Sequence, residues 1–238
     1  MFLRQLFDAE SSTYTYLLAD EPTRQAALID PVLEQVPRDL LLLSELGLSL
    51  VYVLDTHVHA DHVTAAGLLR ERTGARTVAG KKGASCADLQ LAHGDELRLG
   101  SIVLRALETP GHTDDSLSFL AGEHLFSGDA LTIRGAGSTD FQNGDAGRLF
   151  ESITGVLFAL PDATRVHPAH DYKGQTESTI GEEKRFNARV AGRTKDEFVT
   201  LMNNLKLKPP AKIDVAVAAN LDCGAVKLPA SSPDRTQA

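Results

Sequence analysis

The chain has 238 residues, of which 42% are hydrophobic and 24% charged, values that fit one folded domain and exclude a disordered chain. Its 24 basic and 32 acidic side chains give a net charge of −8 without a basic run, which excludes a surface that coats nucleic acid or an anionic membrane. The apolar runs are too short to cross a bilayer, and the amino terminus lacks the apolar stretch of a signal peptide, so we expect a cytoplasmic protein.

Short apolar runs bounded by turn residues predict strands, and segments with three- and four-residue apolar spacing predict helices. The predicted strands cover residues 15–18, 26–29, 50–54, 102–107, 116–120 and 124–126. The predicted helices cover residues 36–46, 63–72 and 149–160, and capping boxes at Thr179 and Thr194 indicate two more.

This order of strands and helices predicts an α/β fold in which helices cover two mixed sheets, an αββα sandwich. No linker or internal repeat divides the chain. We therefore predict one domain over residues 1–228, followed by a disordered, Ser- and Pro-rich tail at residues 229–238.

The two cysteines, Cys86 and Cys223, are far apart and form no Cys-x-x-Cys pair. This spacing is typical neither of a disulfide scaffold nor of a thiolate zinc site. We expect two free thiols that are buried in the fold.

Histidine placement gives the first indication of chemistry. Four potential metal ligands follow the predicted strand 50–54 within six residues: His57, His59, Asp61 and His62. In an extended segment His57 and His59 point the same way, because side chains repeat every second residue. For any one residue the alternative is a helix cap or a surface histidine, but four clustered ligand types favour a metal site.

Three later segments each present one further ligand type near the end of a strand. His112 lies in a Thr-Pro-Gly-His-Thr turn, Asp129 follows the strand 124–126, and His170 follows another predicted strand. Each alone has a structural alternative as a turn, cap or surface residue. Their joint occurrence at strand ends predicts one shared metal site.

The ordered set His-x-His-x-Asp-His, Gly-His-Thr, Gly-Asp and a later His resembles the metallo-beta-lactamase superfamily over essentially the whole chain. The resemblance implies the αββα metallo-beta-lactamase sandwich but no single reaction, because that superfamily contains hydrolases, nucleases, oxidoreductases and dioxygenases. Four segments are similar to the persulfide dioxygenases in particular: residues 56–69, 127–142, 168–174 and 218–224.

That similarity implies a sulfur dioxygenase, active in sulfide detoxification, that oxidises glutathione persulfide with O2 and water to sulfite and glutathione. It implies one non-heme Fe(2+) per chain, with His57, His112 and Asp129 as ligands on one face of the metal. The remaining motif residues would orient ligands and waters from outside the coordination sphere: His59, Asp61, His62 and His170. The family also implies a homodimer.

Two other interpretations stay open. The same ligand types can hold two metals bridged by Asp129, with a hydroxide that attacks a thioester, as in glyoxalase II. Against this, 68 residues (238 − 170) follow His170, fewer than the glutathione-binding domain of glyoxalase II requires. A non-catalytic binding module with a vestigial metal site is the alternative of a different class, and it need not purify with stoichiometric iron.

Four residues are candidate substrate contacts. Persulfide dioxygenases commonly have Arg before Thr-Asp-Phe, where this chain has Ser138, and Arg134 is the candidate replacement or else a surface residue. We expect Tyr172 to direct its hydroxyl into the site, the alternative being a packed aromatic residue. Cys223 is expected to line the substrate channel, or else to be an inert thiol. Three histidines match no ligand position and are expected in the core or on the surface: His93, His124 and His167.

Overall fold

The structure is a computed structural model that describes residues 1–205 and 209–225. Its strands form two six-stranded sheets. The first sheet contains, in order across it, β1 (Phe2–Asp8), β2 (Thr13–Asp20), β3 (Gln25–Ile29), β4 (Ser49–Leu54), β5 (Arg76–Gly80) and β6 (Leu89–Leu91). The second contains β7 (Glu96–Leu99), β8 (Ile102–Glu108), β9 (Leu117–Ala121), β10 (His124–Gly128), β11 (Arg165–Pro168) and β12 (Ser178–Thr179), which follow one another across it.

Both sheets are mixed. In the first, β1, β2 and β3 pair antiparallel and β3 to β6 pair parallel. In the second, β10 and β11 pair parallel and the other neighbouring strands named above pair antiparallel. Helices cover the outer faces: α1 (Val36–Glu45), α2 (Ala66–Thr73), α3 (Ala146–Glu151), α4 (Ile180–Phe186), α5 (Lys195–Asn203) and α6 (Ile213–Asn220). The αββα prediction is confirmed.

The strand β2 shows how the sequence builds these layers. All eight of its residues are buried, because side chains alternate between the two faces of the sheet and both faces are covered. Leu18 belongs to the core between the sheets, where it meets Phe119 and Phe126 of the second sheet. Leu17 belongs to the outer core, where the sheet packs against Leu69 of α2.

The predicted elements are present, with shifted bounds. The helix predicted at 149–160 begins at Ala146, because the side chain of Asp145 accepts a hydrogen bond from the backbone N–H of Arg148 and caps the helix. It continues as a π-helical segment, Ser152–Leu157. The predicted tail and the last residues of the predicted domain lie outside the described residues. Within residues 1–205 and 209–225, no helix is long and apolar enough to cross a membrane.

Candidate active site

Loops that follow four strands bring the predicted ligand types to one edge of the sandwich. His57 follows β4, His112 follows β8, Asp129 directly follows β10, and His170 follows β11. A loop at a strand end is free to direct a side chain, while the strand fixes where the loop begins. The fold thus gathers side chains that are distant in the sequence.

His57, His112 and Asp129 form one compact set of ligand atoms. One atom from each lies within 4.8 Å of the others. Nε2 of His112 is 3.6 Å from Oδ2 of Asp129, and the ring centroids of the two histidines are 4.9 Å apart. Distances of this size allow the three atoms to surround one metal ion.

A hydrogen-bond chain fixes the ring of His57. The hydroxyl of Thr56 donates to Oδ2 of Asp30 at 3.0 Å, so its oxygen accepts from Nδ1 of His57 at 3.0 Å. This leaves Nε2 of His57 as the ligand atom. Gly128 makes the arrangement possible, because an added Cβ there would lie 2.8 Å from the Thr56 hydroxyl oxygen.

His112 and Asp129 are held in the same manner. Nδ1 of His112 donates to the backbone carbonyl of Ser138 at 2.7 Å, since a carbonyl can only accept. Nδ1 of His170 donates to Oδ1 of Asp129 at 2.8 Å. Each side chain therefore binds the protein through one polar atom. The other polar atom, Nε2 of His112 or Oδ2 of Asp129, is available to bind a ligand.

The charge states suit a cation. Burial, followed by the neighbouring His59 and His112, holds the pKa of His57 well below its ordinary value, so its imidazole is neutral. Burial opposes ionisation of Asp129, but His170 and His112 outweigh it and hold the pKa of that carboxyl well below its usual range. Neutral imidazole and ionised carboxylate are the forms that bind metals.

A second group lies beside the first: His59, Asp61, His62 and His170. Its members are engaged with carboxylates. Nε2 of His59 contacts Oδ1 of Asp30 at 3.0 Å, while Nδ1 of His62 and Nε2 of His170 both contact Oδ2 of Asp61 at 2.9 Å. Both ring nitrogens of His170 are thus occupied by carboxylates. Burial disfavours the charged form of His170, but Asp129 and Asp61 more than compensate and raise its pKa well above the ordinary value.

Two buried ring nitrogens in this second group, Nδ1 of His59 and Nε2 of His62, have no hydrogen-bond partner among the described residues. An unpaired buried polar atom costs about 1–3 kcal/mol, so these atoms fit a water or a cation. The first set offers two imidazole nitrogens and one carboxylate oxygen, which suits non-heme Fe(II) and is also accepted by zinc and manganese. The donor set therefore fits the iron that the sequence implies.

A cavity of about 410 Å³ opens above the first set. Its floor includes His57, His112 and Asp129. Its walls carry polar, cationic and aromatic side chains, among them Arg134, Ser138, Phe141, Gln142, Tyr172, Lys173 and Arg189. A volume of this size accommodates a tripeptide-sized ligand or a large part of one.

The predicted substrate contacts differ in how available they are. Arg134 lines the cavity, but its guanidinium pairs with Glu182 and Glu183, so it is not free to replace the missing arginine. Ser138 lines the cavity and supports His112 through its carbonyl. Tyr172 lies at the cavity, is 77% exposed and stacks parallel to the ring of His170 at 6.3 Å.

The expectation of two free thiols is wrong. Cys86 and Cys223 form a disulfide with their Cα atoms 6.0 Å apart, although 137 residues separate them in the sequence. The loop after β5 and the turn after α6 are brought together by the fold, which linear spacing cannot reveal. Cys223 is buried, and within the described part of the chain it is not among the residues that line the cavity.

Sequence reasoning missed three residues that shape the site. Asp30 binds the hydroxyl of Thr56 and the ring of His59, and its position directly after β3 was an available signal. Gln142 donates to the carbonyl of Val58 at 2.6 Å. Arg189 lines the cavity, and nothing in its sequence context indicates this.

Comparison with known proteins agrees with this geometry. The family model of the metallo-beta-lactamase superfamily matches residues 9–85. The mitochondrial persulfide dioxygenase ETHE1 of Homo sapiens is 47% identical over 227 residues, which cover 94% of this chain and 89% of that protein. The crystal structure of ETHE1 from Myxococcus xanthus matches with a TM-score of 0.94 and 61% identity, covering 94% of this chain and 100% of that chain.

A hydroxyacylglutathione hydrolase-like protein of Homo sapiens is more distant. It is 38% identical over 168 residues, which cover 67% of this chain and 56% of that protein. The persulfide dioxygenases match at higher identity and over nearly the full length of both chains. The chain belongs to the persulfide dioxygenase family of the metallo-beta-lactamase superfamily.

Proposed function

We propose that this chain is an iron-dependent persulfide dioxygenase, which oxidises glutathione persulfide with O2 and water to sulfite and glutathione. The observation that carries the proposal is the convergence of one ligand atom each from His57, His112 and Asp129 at one cavity. The reaction balances as GSSH + O2 + H2O → GSH + SO3²⁻ + 2 H⁺. The sulfane sulfur is oxidised, O2 is reduced, and the glutathione thiol is released.

The protein would hold one Fe(2+) with His57, His112 and Asp129. When bound, iron supplies the redox partner that triplet O2 requires and a common position for O2 and the persulfide sulfur. The side chains around it keep the three ligand atoms aimed at one point. The bond from His170 to Oδ1 of Asp129 directs Oδ2 of that carboxylate toward the cavity floor.

The walls suit an anionic thiol carrier. Glutathione has two carboxylates, and the cavity presents Lys173 and Arg189 in addition to the ion-paired Arg134. A guanidinium can bind a carboxylate through two parallel hydrogen bonds, which makes Arg189 the better candidate anchor. Tyr172 at the mouth can contact the carrier peptide through its ring or hydroxyl.

Oxygen uptake by iron-loaded protein with glutathione persulfide tests the proposal, with sulfite measured as product. We expect one sulfite per O2 and one iron per chain by metal analysis, located by anomalous scattering at the iron edge. Protein loaded with zinc is the matched control and should take up no oxygen. Iron-loaded protein that consumes neither O2 nor persulfide would refute the dioxygenase.

The dinuclear glyoxalase II-like hydrolase is a second candidate function, favoured by one observation. Nδ1 of His59 and Nε2 of His62 have no hydrogen-bond partner in the part of the chain that the structure describes, and their residues group with Asp61, as a second metal would require. The two carboxylate contacts of His170 weigh against it, because they leave that ring no free nitrogen. Two metals per chain bridged by Asp129, together with hydrolysis of a glutathione thioester, would establish the hydrolase.

We also propose the homodimer that the family resemblance implies. Sedimentation equilibrium of the metal-loaded protein checks it, and a mass near that of one chain would contradict it.

A further inference from the structure

Asn220 connects the carboxy-terminal helix to the ligand loop. It is the last residue of α6 and its side chain is buried, with the residue only 3% exposed. Its Nδ2 donates to the carbonyls of His59 and His62, both at 2.9 Å, and its Oδ1 accepts from the backbone N–H of Thr64 at 2.8 Å. One side chain thus satisfies three backbone groups of one loop.

Different groups support the two halves of the loop between β4 and α2. Its first half is held by carboxylates: Asp30 accepts from the N–H of Thr56 at 2.7 Å, and Asp115 accepts from the N–H of Val58 at 2.9 Å. The second half pairs with residues 31–33, since the N–H of Leu33 donates to the carbonyl of Val63 at 2.9 Å and the N–H of Ala65 donates to the carbonyl of Pro31 at 2.8 Å. Buried backbone groups require partners, and Asn220 supplies those of the His59 and His62 carbonyls and of the Thr64 N–H.

The end of α6 contacts the loop region closely. The N–H of Gly67 donates to the carbonyl of Cys223 at 2.8 Å, and an added Cβ on Gly67 would lie 2.5 Å from that oxygen. An added Cβ on Gly224 would lie 2.1 Å from the carbonyl oxygen of Thr64. Only glycine fits at both places, so the backbone of α6 is held at a fixed distance from the loop.

We propose that Asn220 is a positioning residue for the metal site. It fixes the carbonyls of His59 and His62 and the amide of Thr64, and thereby the backbone of the loop that carries the candidate ligand His57. The proposal rests on the proposed metal site, and it assigns the family-like segment 218–224 a role that the disulfide at Cys223 does not explain. A purely structural role, in which Asn220 only closes the end of α6, predicts lost stability without a selective effect on the metal.

Three variants separate these roles. Asn220→Ala removes all three hydrogen bonds. Asn220→Asp keeps the oxygen that accepts from the N–H of Thr64. It replaces the amide nitrogen that donates to the two carbonyls by a second oxygen, which cannot donate when ionised. Ala216→Gly is the matched control, because Ala216 is buried one turn earlier on α6 and has no side-chain hydrogen bond to offer.

Four measurements are made on each full-length variant: hydrogen exchange at the Thr64 amide, Co²⁺ retention by chelator competition, the thermal midpoint, and kcat and KM of the iron-loaded enzyme. We expect Asn220→Ala to weaken metal retention by about 10–100-fold and to lower kcat similarly, with KM nearly unchanged. The Thr64 amide should exchange rapidly in Asn220→Ala and stay protected in Asn220→Asp. Ala216→Gly should lower only the thermal midpoint.

Equal metal retention in Asn220→Ala and Ala216→Gly at similar thermal midpoints would overturn the proposal. If the Asn220 variants do not fold, wild-type protein still decides it. Co²⁺ should then slow exchange at the Thr64 amide, and unchanged exchange would count against the role. These readouts need no persulfide, so a failure of the proposed oxygenase reaction is distinguishable from a failure of Asn220 as a positioning residue.

Discussion

At the residue scale, each candidate ligand side chain binds the protein through one polar atom and presents another to the cavity. Nδ1 of His112 is bound by the carbonyl of Ser138, and Oδ1 of Asp129 is bound by His170. The remaining atoms, Nε2 and Oδ2, are 3.6 Å apart and cannot rotate away without breaking these bonds. Removing a ligand and removing a supporting residue should therefore have different consequences.

Asp129→Ala should abolish both iron retention and oxygen uptake, because it removes the only carboxylate oxygen of the candidate ligand set. Asp61→Ala should leave iron bound and lower turnover by about 10–100-fold, since Asp61 contacts His62 and His170 instead. Metal analysis after gel filtration and oxygen-electrode assays check both. If Asp61→Ala loses iron as completely as Asp129→Ala, the ligand assignment is wrong.

Ser138→Arg should lower KM for glutathione persulfide and leave kcat largely unchanged. Ser138 lines the cavity, and a guanidinium there can reach a substrate carboxylate. One charge-assisted hydrogen bond worth about 1.5 kcal/mol corresponds to roughly tenfold in KM. Ser138→Gln, of similar reach without charge, is the control. Steady-state oxygen uptake gives the two constants, and an unchanged or higher KM in the arginine variant would show that position 138 does not contact substrate.

The ligand types were predictable from the sequence because each one follows a strand, where loops converge. The residues that support these ligands or line the cavity were harder to predict. Asp30 shares the strand-end signal, but Arg189 reaches the cavity from a distant segment, and Arg134 is diverted by Glu182 and Glu183. Whether a basic side chain is free to bind substrate depends on its ion-pair partners, and tertiary contacts determine those partners.

At the element scale, the strand β11 carries a histidine, His167, that is buried in the core. The ring of His167 stacks on Phe126 with centroids 5.2 Å apart and lies edge-on to Tyr16 at 5.5 Å. The distance from its Nε2 to Nδ1 of His124 is 2.9 Å. Burial, followed by the charges of His124 and Arg165, lowers the pKa of His167 to about 3. The strand therefore folds with this imidazole neutral.

The low pKa of His167 predicts acid sensitivity. His167 gains a proton at about pH 6.5 in the unfolded chain and only at about pH 3 in the folded chain. The stability that its neutral form contributes is therefore complete above pH 6.5 and is lost as the pH falls from 6.5 toward 3. His167→Phe should reduce the difference in unfolding free energy between about pH 7 and pH 5 by roughly 2 kcal/mol. Urea unfolding of metal-free protein measures it.

An identical pH dependence in wild type and His167→Phe would mean that His167 takes up its proton in the folded state.

Elements with long apolar patterns were predictable, and short or tertiary-dependent ones were not. β6 and β12 have three and two residues, too few for an alternation to be visible. α6 reads Ile-Asp-Val-Ala-Val-Ala-Ala-Asn, which gives little contrast between an apolar and a polar face. The capping box at Thr194 is complete, whereas at Thr179 the Glu182 side chain pairs with Arg134 instead of returning to the cap.

At the scale of the whole molecule, the Cys86–Cys223 disulfide joins the loop after β5 to the turn after α6. The link closes a long loop of chain, so it restricts the unfolded ensemble strongly. Periodicity and motif spacing describe neighbours along the chain. They carry no information about which distant loops meet, and for that reason the pairing could not be predicted.

Reduction of this disulfide should lower the free energy of unfolding by up to about 5 kcal/mol, the chain-entropy value for a loop of this length. Cys86→Ser should show the same loss without reductant and no further loss with it. Urea unfolding with and without dithiothreitol measures the difference. Wild-type protein that releases two thiols on denaturation without reductant would contradict the disulfide itself.

The hydrogen bonds of Asn220 also set an order of assembly. They join it to residues that are synthesised 156 to 161 positions earlier. At about 5–20 residues per second, the ribosome needs roughly 8–30 s to add the intervening chain. Both sheets can pair during that interval, while the loop from His57 to Thr64 still lacks its last partner. The loop can therefore form its hydrogen bonds to Asn220 only after the carboxy-terminal helix has been translated.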